Sequence, residues 1–382
     1  YSRVRHRTMP AAFASPLIRL PSSTRGRPAH ARRAPTCSVT PVGIGVIGCG
    51  RIGQVHARTL SGLPSAELVA VADPFEESGR KVAAQFATNW VADWKELLND
   101  ERIRGVVIGS PTPFHAEQIR ECAAAGKDIF CEKPVSNDLA VIDDCIRCVE
   151  EAGVKLLVGF QRRYDTNFMA VRSAVESGRV GEVRMFHITS RDPAPPPAEY
   201  LKASGGIFLD MASHDFDMAR FVTGSEIDEV FVTGKAFGPE AQEANDLDTV
   251  VTVVKMKNGA FGTIDNSRSC AYGYDQRIEI FGSLGTVSGA NKSPDTVTIS
   301  GPQGITCGLP YNFFMDRYAE AYSGAMIDFV NMIRMGTPSP VTGADGRAPI
   351  VAGMAAAKSA AENRPVKLTE VDRVAAAEPA SV

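Results

Sequence analysis

No stretch of this sequence stays apolar for the roughly 20 residues that a membrane-spanning helix needs, so no membrane partner is expected. No internal repeat is present, and no low-complexity segment follows residue 40. The eight cysteines (37, 49, 122, 131, 145, 148, 270 and 307) are irregularly spaced, which in so large a chain argues for a reduced compartment and against a disulfide framework. Cys145 and Cys148 form a Cys-x-x-Cys pair, but it falls inside an expected helix and has no second pair at zinc spacing. Core packing is the expectation there, and no metal is expected.

Acidic residues are also missing from the start: none precedes Glu67, and residues 1–40 hold eight arginines but no lysine. Ser, Thr, Ala, Pro and Arg dominate this leader, which is the composition of an organelle transit peptide. Prolines at 10, 16, 21, 28 and 35 interrupt any long amphipathic helix and favour a plastid over a mitochondrial address. A leader with no address, and so a cytoplasmic protein, is the alternative. The chain begins with Tyr1, and Met9 is a candidate start. With the leader arginines set aside, 33 basic residues face 44 acidic ones, which disfavours nucleic acid as a partner.

A length of 382 residues with 44% apolar content predicts two domains with sizeable cores. The expected divisions are a leader at 1–41, a first domain at 42–160, a second at 161–370 and a tail at 371–382. The first domain opens on Gly48-Cys49-Gly50-Arg51-Ile52-Gly53, with Asp73 lying 20 residues past its last glycine. Residues 43–48 also fit G-x-G-x-x-G. The later frame is better, because Val42–Ile47 reads as a buried strand and Ile52 onward as a helix. In that frame Gly48 permits the turn, Gly50 lets backbone approach a pyrophosphate, and Gly53 lets helix pack on strand. The amides of Arg51 and Ile52 then open the helix toward phosphate. Asp73 ends a second strand, where a carboxylate can bind ribose hydroxyls and would repel a 2′-phosphate. Strand, turn, helix and acid in this order predict a dinucleotide site with NAD preferred over NADP.

From 42 to 160, strands at 42–47, 68–72, 90–92, 105–109, 128–131 and 155–159 alternate with helices at 75–87, 114–125 and 138–152. Asp93 is expected to cap a short helical segment at 94–99. This alternation predicts a doubly wound, parallel α/β sheet of the Rossmann kind. After 180, segments at 183–190, 229–236, 249–256, 259–267, 277–281, 286–289 and 296–300 are rich in β-branched and aromatic residues, several alternate apolar and polar residues, and Lys257-Asn258-Gly259 signals a hairpin. These predict a largely antiparallel sheet in an α+β second domain. Helices at 165–177, 211–222, 313–335 and 344–362 are the expected cover.

Four further clusters carry candidate chemistry. Glu132-Lys133-Pro134 follows a strand of the first domain, at the sheet edge where ligands bind. Ser110-Pro111-Thr112-Pro113-Phe114-His115 follows another strand end and could line the nicotinamide side, with Thr112 as a helix cap. Arg162 and Arg163 sit at the join of the domains, to meet a polyhydroxylated substrate or to bridge the domains. Asp210 and His214 lie four apart and would share a helical face, where histidine is a natural proton acceptor near neutral pH. Taken singly, each of these reads as readily as a solvated or structural feature.

Together they resemble one family. The order G-x-G-R-I-G, Ser-Pro-Thr-x-x-His, Glu-Lys-Pro, Gly-Phe-x-Arg-Arg-Tyr-Asp and Gly-Gly-x-x-x-Asp-x-x-x-His-Asp-x-Asp is similar to that of the Gfo/Idh/MocA oxidoreductases, over residues 42 to 370. Ser190-Arg191-Asp192-Pro193, Asn266-Ser267-Arg268 and Tyr272-Gly273-Tyr274-Asp275-Gln276-Arg277 point within the family to its inositol-oxidising members. The resemblance implies a catalytic trio of Lys133, Asp210 and His214. It implies cofactor contacts from Gly48, Gly50, Arg51, Ile52, Gly53, Asp73, Ser110, Pro111, Thr112, His115, Glu132 and Lys133. Substrate contacts would come from Lys133, Asp192, Asp210, His214, an arginine of Arg162 and Arg163, and one of Tyr272 and Tyr274. The implied reaction is oxidation of a secondary alcohol of a cyclitol, myo-inositol foremost, with NAD and without metal. Another inositol isomer, a sugar, or a non-catalytic NAD-binding regulator are the alternatives. A homo-oligomer, dimer or tetramer, is implied as well.

Overall fold

The computed structural model describes residues 40–372. The arginine-rich leader, with its expected targeting role, lies outside the described residues, as does the tail from 373. The first sheet has six strands: β1 (Val42–Ile47), β2 (Ala66–Ala72), β3 (Asn89–Val91), β4 (Ile103–Ile108), β5 (Asp128–Glu132) and β6 (Leu156–Gly159). Their order is β3-β2-β1-β4-β5-β6, and every pairing is parallel. Burial on both faces explains why these strands read as unbroken apolar runs: all six residues of β1 are buried. Helix Arg51–Gly62 faces the sheet through Gly53, His56, Ala57 and Leu60, the three-to-four spacing of an amphipathic helix. The chain leaves β1 in one direction and returns to β4 on its other side. A crevice therefore opens between the carboxyl ends of these two strands, the usual ligand position in such sheets.

The second sheet contains β7 (Val183–Arg191), β8 (Ile227–Lys235), β9 (Thr249–Met256), β10 (Phe261–Ser267), β11 (Asp275–Gly282) and β12 (Gly285–Gly289). A hairpin, β13 (Thr298–Gly301) with β14 (Gly304–Cys307), stands apart from it, so the strand expected at 296–300 does not join the large sheet. A two-residue strand, β15 (Val366–Lys367), completes the order β12-β11-β7-β10-β9-β8-β15. All pairings are antiparallel except β7 with β10, which run parallel. Along β9 the residues Val250, Thr252, Val254 and Met256 point inward while their neighbours face out. Helices Thr166–Glu176, Ser213–Thr223 and Gly343–Glu362 cover the inner face through residues such as Phe168, Phe216, Ala352 and Ala356.

Helix Ala319–Met335 departs from expectation. Its Met326, Phe329, Val330 and Ile333 join the core of the first sheet, and only Ala321 and Tyr322 near its start face the second. Its apolar stripe required burial but did not specify against which sheet. Two short helices, Ala198–Ser204 and Pro239–Ala244, were not anticipated. Asp93 does cap the 3₁₀ segment Trp94–Asn99, accepting the Lys95 amide. Thr112 does not cap: it is the first residue of a 3₁₀ turn whose start has no side-chain hydrogen bond. With proline at 111 and 113, the extended Pro111 occupies the capping position instead.

Candidate active site

The glycine run sits at the mouth of the crevice, and its three glycines are needed for different reasons. Gly48 has φ 93°, and a Cβ there would lie 2.8 Å from the Gly109 carbonyl oxygen on β4's exit. A Cβ on Gly53 would come within 1.9 Å of the Gly48 carbonyl oxygen, so this contact between helix and turn admits only glycine. Gly50 is different: it is exposed, and nothing lies within 4 Å of where its Cβ would be. No protein contact there calls for glycine, and the open space fits a ligand that approaches the backbone. Arg51 and Ile52 follow at the helix start, where the first N–H groups have no carbonyl to bond and can receive a phosphate. The cradle thus fits a dinucleotide.

Asp73 is 8% exposed and accepts two backbone amides, Cys49 N at 2.7 Å and Phe75 N at 2.9 Å. It ties the glycine turn to the end of β2. The next cation along the chain, Arg80, is paired to Glu76 and stacked on Trp90. Ser110 donates to Gln118 at 2.6 Å, while Pro111 is exposed at the crevice. His115 is 1% exposed, with both ring nitrogens 2.8 Å from carbonyl oxygens, of Pro134 and of Ser110. Burial holds its pKa below the ordinary histidine value. Its ring is packed between the Ser110 loop and the Lys133 loop, where a neutral imidazole donates to one of the two carbonyls. Glu132 is held by buried His56, 2.7 Å from Nε2 to Oε1.

The two domains meet at the expected trio. Lys133 follows β5, and the Lys133–Pro134 peptide is cis. Its Nζ donates to the Asp210 backbone oxygen at 2.9 Å and lies 3.5 Å from the Asp210 carboxylate. Asp210 belongs to a π-helical turn, Ile207–Met211, not to the α-helix expected from 211. Two consecutive glycines with positive φ, Gly205 and Gly206, lead into that turn. The Asp210 carboxylate also accepts from Arg268 Nη2 at 3.0 Å and from the Tyr200 hydroxyl at 3.2 Å. Burial alone would raise its pKa, but the Lys133 and Arg268 charges with these hydrogen bonds outweigh it and hold the carboxyl below its ordinary range. His214 opens helix Ser213–Thr223 with its ring edge against Phe160. Its Nδ1 has no hydrogen-bond partner among the described residues. Burial, then the charges of Lys133 and Arg162, push its pKa well below the usual value, so the ring is neutral and able to accept a proton.

The geometry divides both pairs that the sequence left open. Arg162 is 3% exposed, donates to Asp215 at 2.6 Å and reaches Ser190 and the Tyr274 hydroxyl at 3.3 Å. Its charge acts on both His214 and Asp192. Arg163 points away, to Asp217 at 2.6 Å and Asp345 at 2.9 Å, and acts as a bridge between helices. Tyr274 is buried beside Arg162, whereas Tyr272 lies on the outer side and pairs with Asp275 at 2.6 Å and Arg191 at 3.0 Å. Arg163 and Tyr272 therefore leave the candidate substrate set. Asp192 stays in it: its carboxyl is pushed up to about 6, chiefly by burial. Arg268, Tyr200 and Asp215 were not anticipated. Arg268 stood in a quoted stretch, but its partners lie 58 and 76 residues upstream, and no local pattern names them.

A neutral imidazole, an ammonium and a charged carboxylate thus converge beyond the carboxyl ends of the first sheet. Such a set can take a proton from a hydroxyl while stabilising negative charge on its oxygen. Comparison with known proteins agrees with this reading. Residues 42–160 match the model of an oxidoreductase family with an NAD-binding Rossmann fold, and residues 168–288 match the GFO/IDH/MocA C-terminal domain. The chain is 44% identical over 330 residues to the myo-inositol 2-dehydrogenase of Thermotoga maritima, covering 86% of this chain and 99% of that protein. It is 44% identical over 329 residues to the inositol 2-dehydrogenase of Rhizobium meliloti, with coverage of 86% and 99%. Among solved structures, it is similar to scyllo-inositol dehydrogenase from Lactobacillus casei with bound NAD(H) and scyllo-inositol. That match has a TM-score of 0.81 at 28% identity and covers 86% of this chain and 100% of that one.

Proposed function

Since the chain belongs to the GFO/IDH/MocA family of NAD-binding oxidoreductases, we propose that it oxidises a secondary hydroxyl of a cyclitol, myo-inositol to the 2-keto-inositol, as an NAD-dependent dehydrogenase. The observation that carries this is the convergence of Lys133, Asp210 and His214, with the Lys133 ammonium 2.9 Å from the Asp210 backbone oxygen. Bound NAD supplies the hydride acceptor, held by the 48–53 turn and Asp73. His214 accepts the hydroxyl proton, and its depressed pKa keeps it free to do so. Lys133 donates a hydrogen bond to the same oxygen and stabilises the charge that develops as the proton leaves. Asp210 fixes Lys133 and offers its carboxylate to a substrate hydroxyl. Arg162, Asp192 and Tyr274 complete a polar wall suited to a ligand with a hydroxyl on every carbon.

The test is NADH formation by the purified full chain across inositol isomers and aldoses. Myo-inositol is expected to give the highest kcat/KM, and NADP in place of NAD is expected to lower it at least about tenfold, because the buried Asp73 carboxylate repels a 2′-phosphate. Turnover of aldoses alone would move the substrate class. Binding of NAD without turnover on any member would favour a regulator.

A homo-oligomer is part of the same proposal. The outer face of the second sheet exposes Met185, Val251, Val253, Phe261 and Phe281, an apolar surface of the kind that marks an interaction site. Sedimentation equilibrium should give a dimer or tetramer, and a monomer at micromolar concentration would count against it. We also propose a plastid address from the leader's composition. A fluorescent fusion of the full chain that stayed in the cytosol would refute it.

A further inference from the structure

We propose that Arg268 is the positioning residue of this site: its guanidinium bridges Asp210 and Asp192 and holds the two carboxylates side by side at the catalytic lysine. This deepens the polyol-dehydrogenase reading and rests on it for the identity of the substrate.

The arrangement begins with strand register. Ser267, the last residue of β10, pairs in parallel with Arg191, the last residue of β7. The next residue on each strand is therefore Arg268 beside Asp192. Two backbone bonds fix the pair: the Asp192 amide donates to the Ser267 oxygen, and the Arg268 amide donates to the Asp248 oxygen, both at 2.8 Å. The Arg268 side chain is 4% exposed, with Nη2 3.0 Å from Asp210 Oδ2 and Nη1 3.7 Å from Asp192 Oδ2. A planar fork can serve two carboxylates at once, which an ammonium cannot do with the same geometry.

The neighbouring charges show why no other group can take its place. The cations around the pair are Lys133, Arg162 and Arg268, and the acids are Asp192, Asp210, Asp215 and, farther off, Asp246. His214 is neutral, and Tyr200 contributes a hydroxyl to Asp210 Oδ1. Arg162 is committed to Asp215 at 2.6 Å. Lys133 makes its shorter contact to the Asp210 backbone oxygen, with the carboxylate at 3.5 Å. Among the described residues, Arg268 is thus the cation that hydrogen-bonds the Asp210 carboxylate. It is also the one that keeps two neighbouring acids from repelling each other. Without it, both carboxyls should bind protons more readily and turn from acceptors into donors.

The experiment is a pH titration of the full chain carrying carboxyl-¹³C aspartate, with resonances assigned from Asp192→Asn and Asp210→Asn, in the wild type, Arg268→Gln and Arg268→Lys. Loss of an opposite charge at this range should raise both carboxyl pKa values by about 1–3 units in Arg268→Gln. The acid limb of kcat/KM should move up with them. Arg268→Lys, which keeps the charge, should restore the titrations while leaving kcat/KM below wild type, because the fork is lost. NAD affinity should be the same in all three. Unchanged carboxyl titrations in Arg268→Gln would overturn the proposal. If that variant fails to fold, wild-type kcat/KM in Arg268→Lys would do so. The titration needs no turnover, so a protein inactive on every polyol would defeat the substrate reading alone.

Discussion

Replacing His214 with alanine is expected to lower kcat about 10²–10⁴-fold, the usual contribution of a positioned general base, while NADH still binds. The expectation rests on three features of the ring. It opens the helix one turn beyond Asp210, its Nδ1 has no hydrogen-bond partner among the described residues, and burial with two nearby cations keeps it neutral. Because the wild-type ring is already unprotonated, raising the pH above neutral should not increase wild-type turnover through this group. Lys133→Ala should fall by about 10²–10³, the cost of removing one charge-stabilising donor, also with the cofactor site intact. Fluorescence titration with NADH separates this loss from failed binding. Wild-type turnover in either variant would remove that residue from the chemistry.

The second large effect is predicted at the glycine turn, where two similar substitutions should behave differently. Gly53→Ala puts a methyl 1.9 Å from the Gly48 carbonyl oxygen, a clash that only movement of helix Arg51–Gly62 can relieve. Overpacking of this kind costs about 1–3 kcal/mol. Both the melting temperature and NAD affinity should fall, the latter by about 5–150-fold if the same cost is paid on binding. Gly50→Ala meets no protein atom within 4 Å. Its melting temperature should match wild type, and only NAD binding should weaken. Equal destabilisation by the two substitutions would mean that Gly50 serves the fold and not a ligand.

The first sheet could be read from the sequence because a parallel strand buried on both faces is an apolar run, and β1, β2, β4, β5 and β6 all announce themselves so. The inward alternation of β9 is as plain. The parallel pairing of β7 with β10 was not legible, because 69 residues separate the ends of those strands and local pattern carries no information on distant partners. The same limit hid Arg268, whose role depends entirely on that pairing. Arg162 and Arg163 were inseparable for another reason. They are adjacent in a 3₁₀ turn, and only the positions of Asp215 and Asp217 on a different helix decide which guanidinium enters the site. The setting of His115 was not legible, because a histidine in the segment beyond a strand reads alike whether it faces a ligand or packs against backbone carbonyls. The trio itself was visible only as a combination of motifs, since in the sequence each member alone reads as an ordinary surface residue.

The most direct test of the account follows the carbinol hydrogen. Myo-inositol deuterated at C2, oxidised by the purified full chain with NAD, should give NADH carrying one deuterium per molecule, detectable by mass spectrometry. Unlabelled NADH, or none at all, would contradict a cyclitol dehydrogenase built on Lys133 and His214.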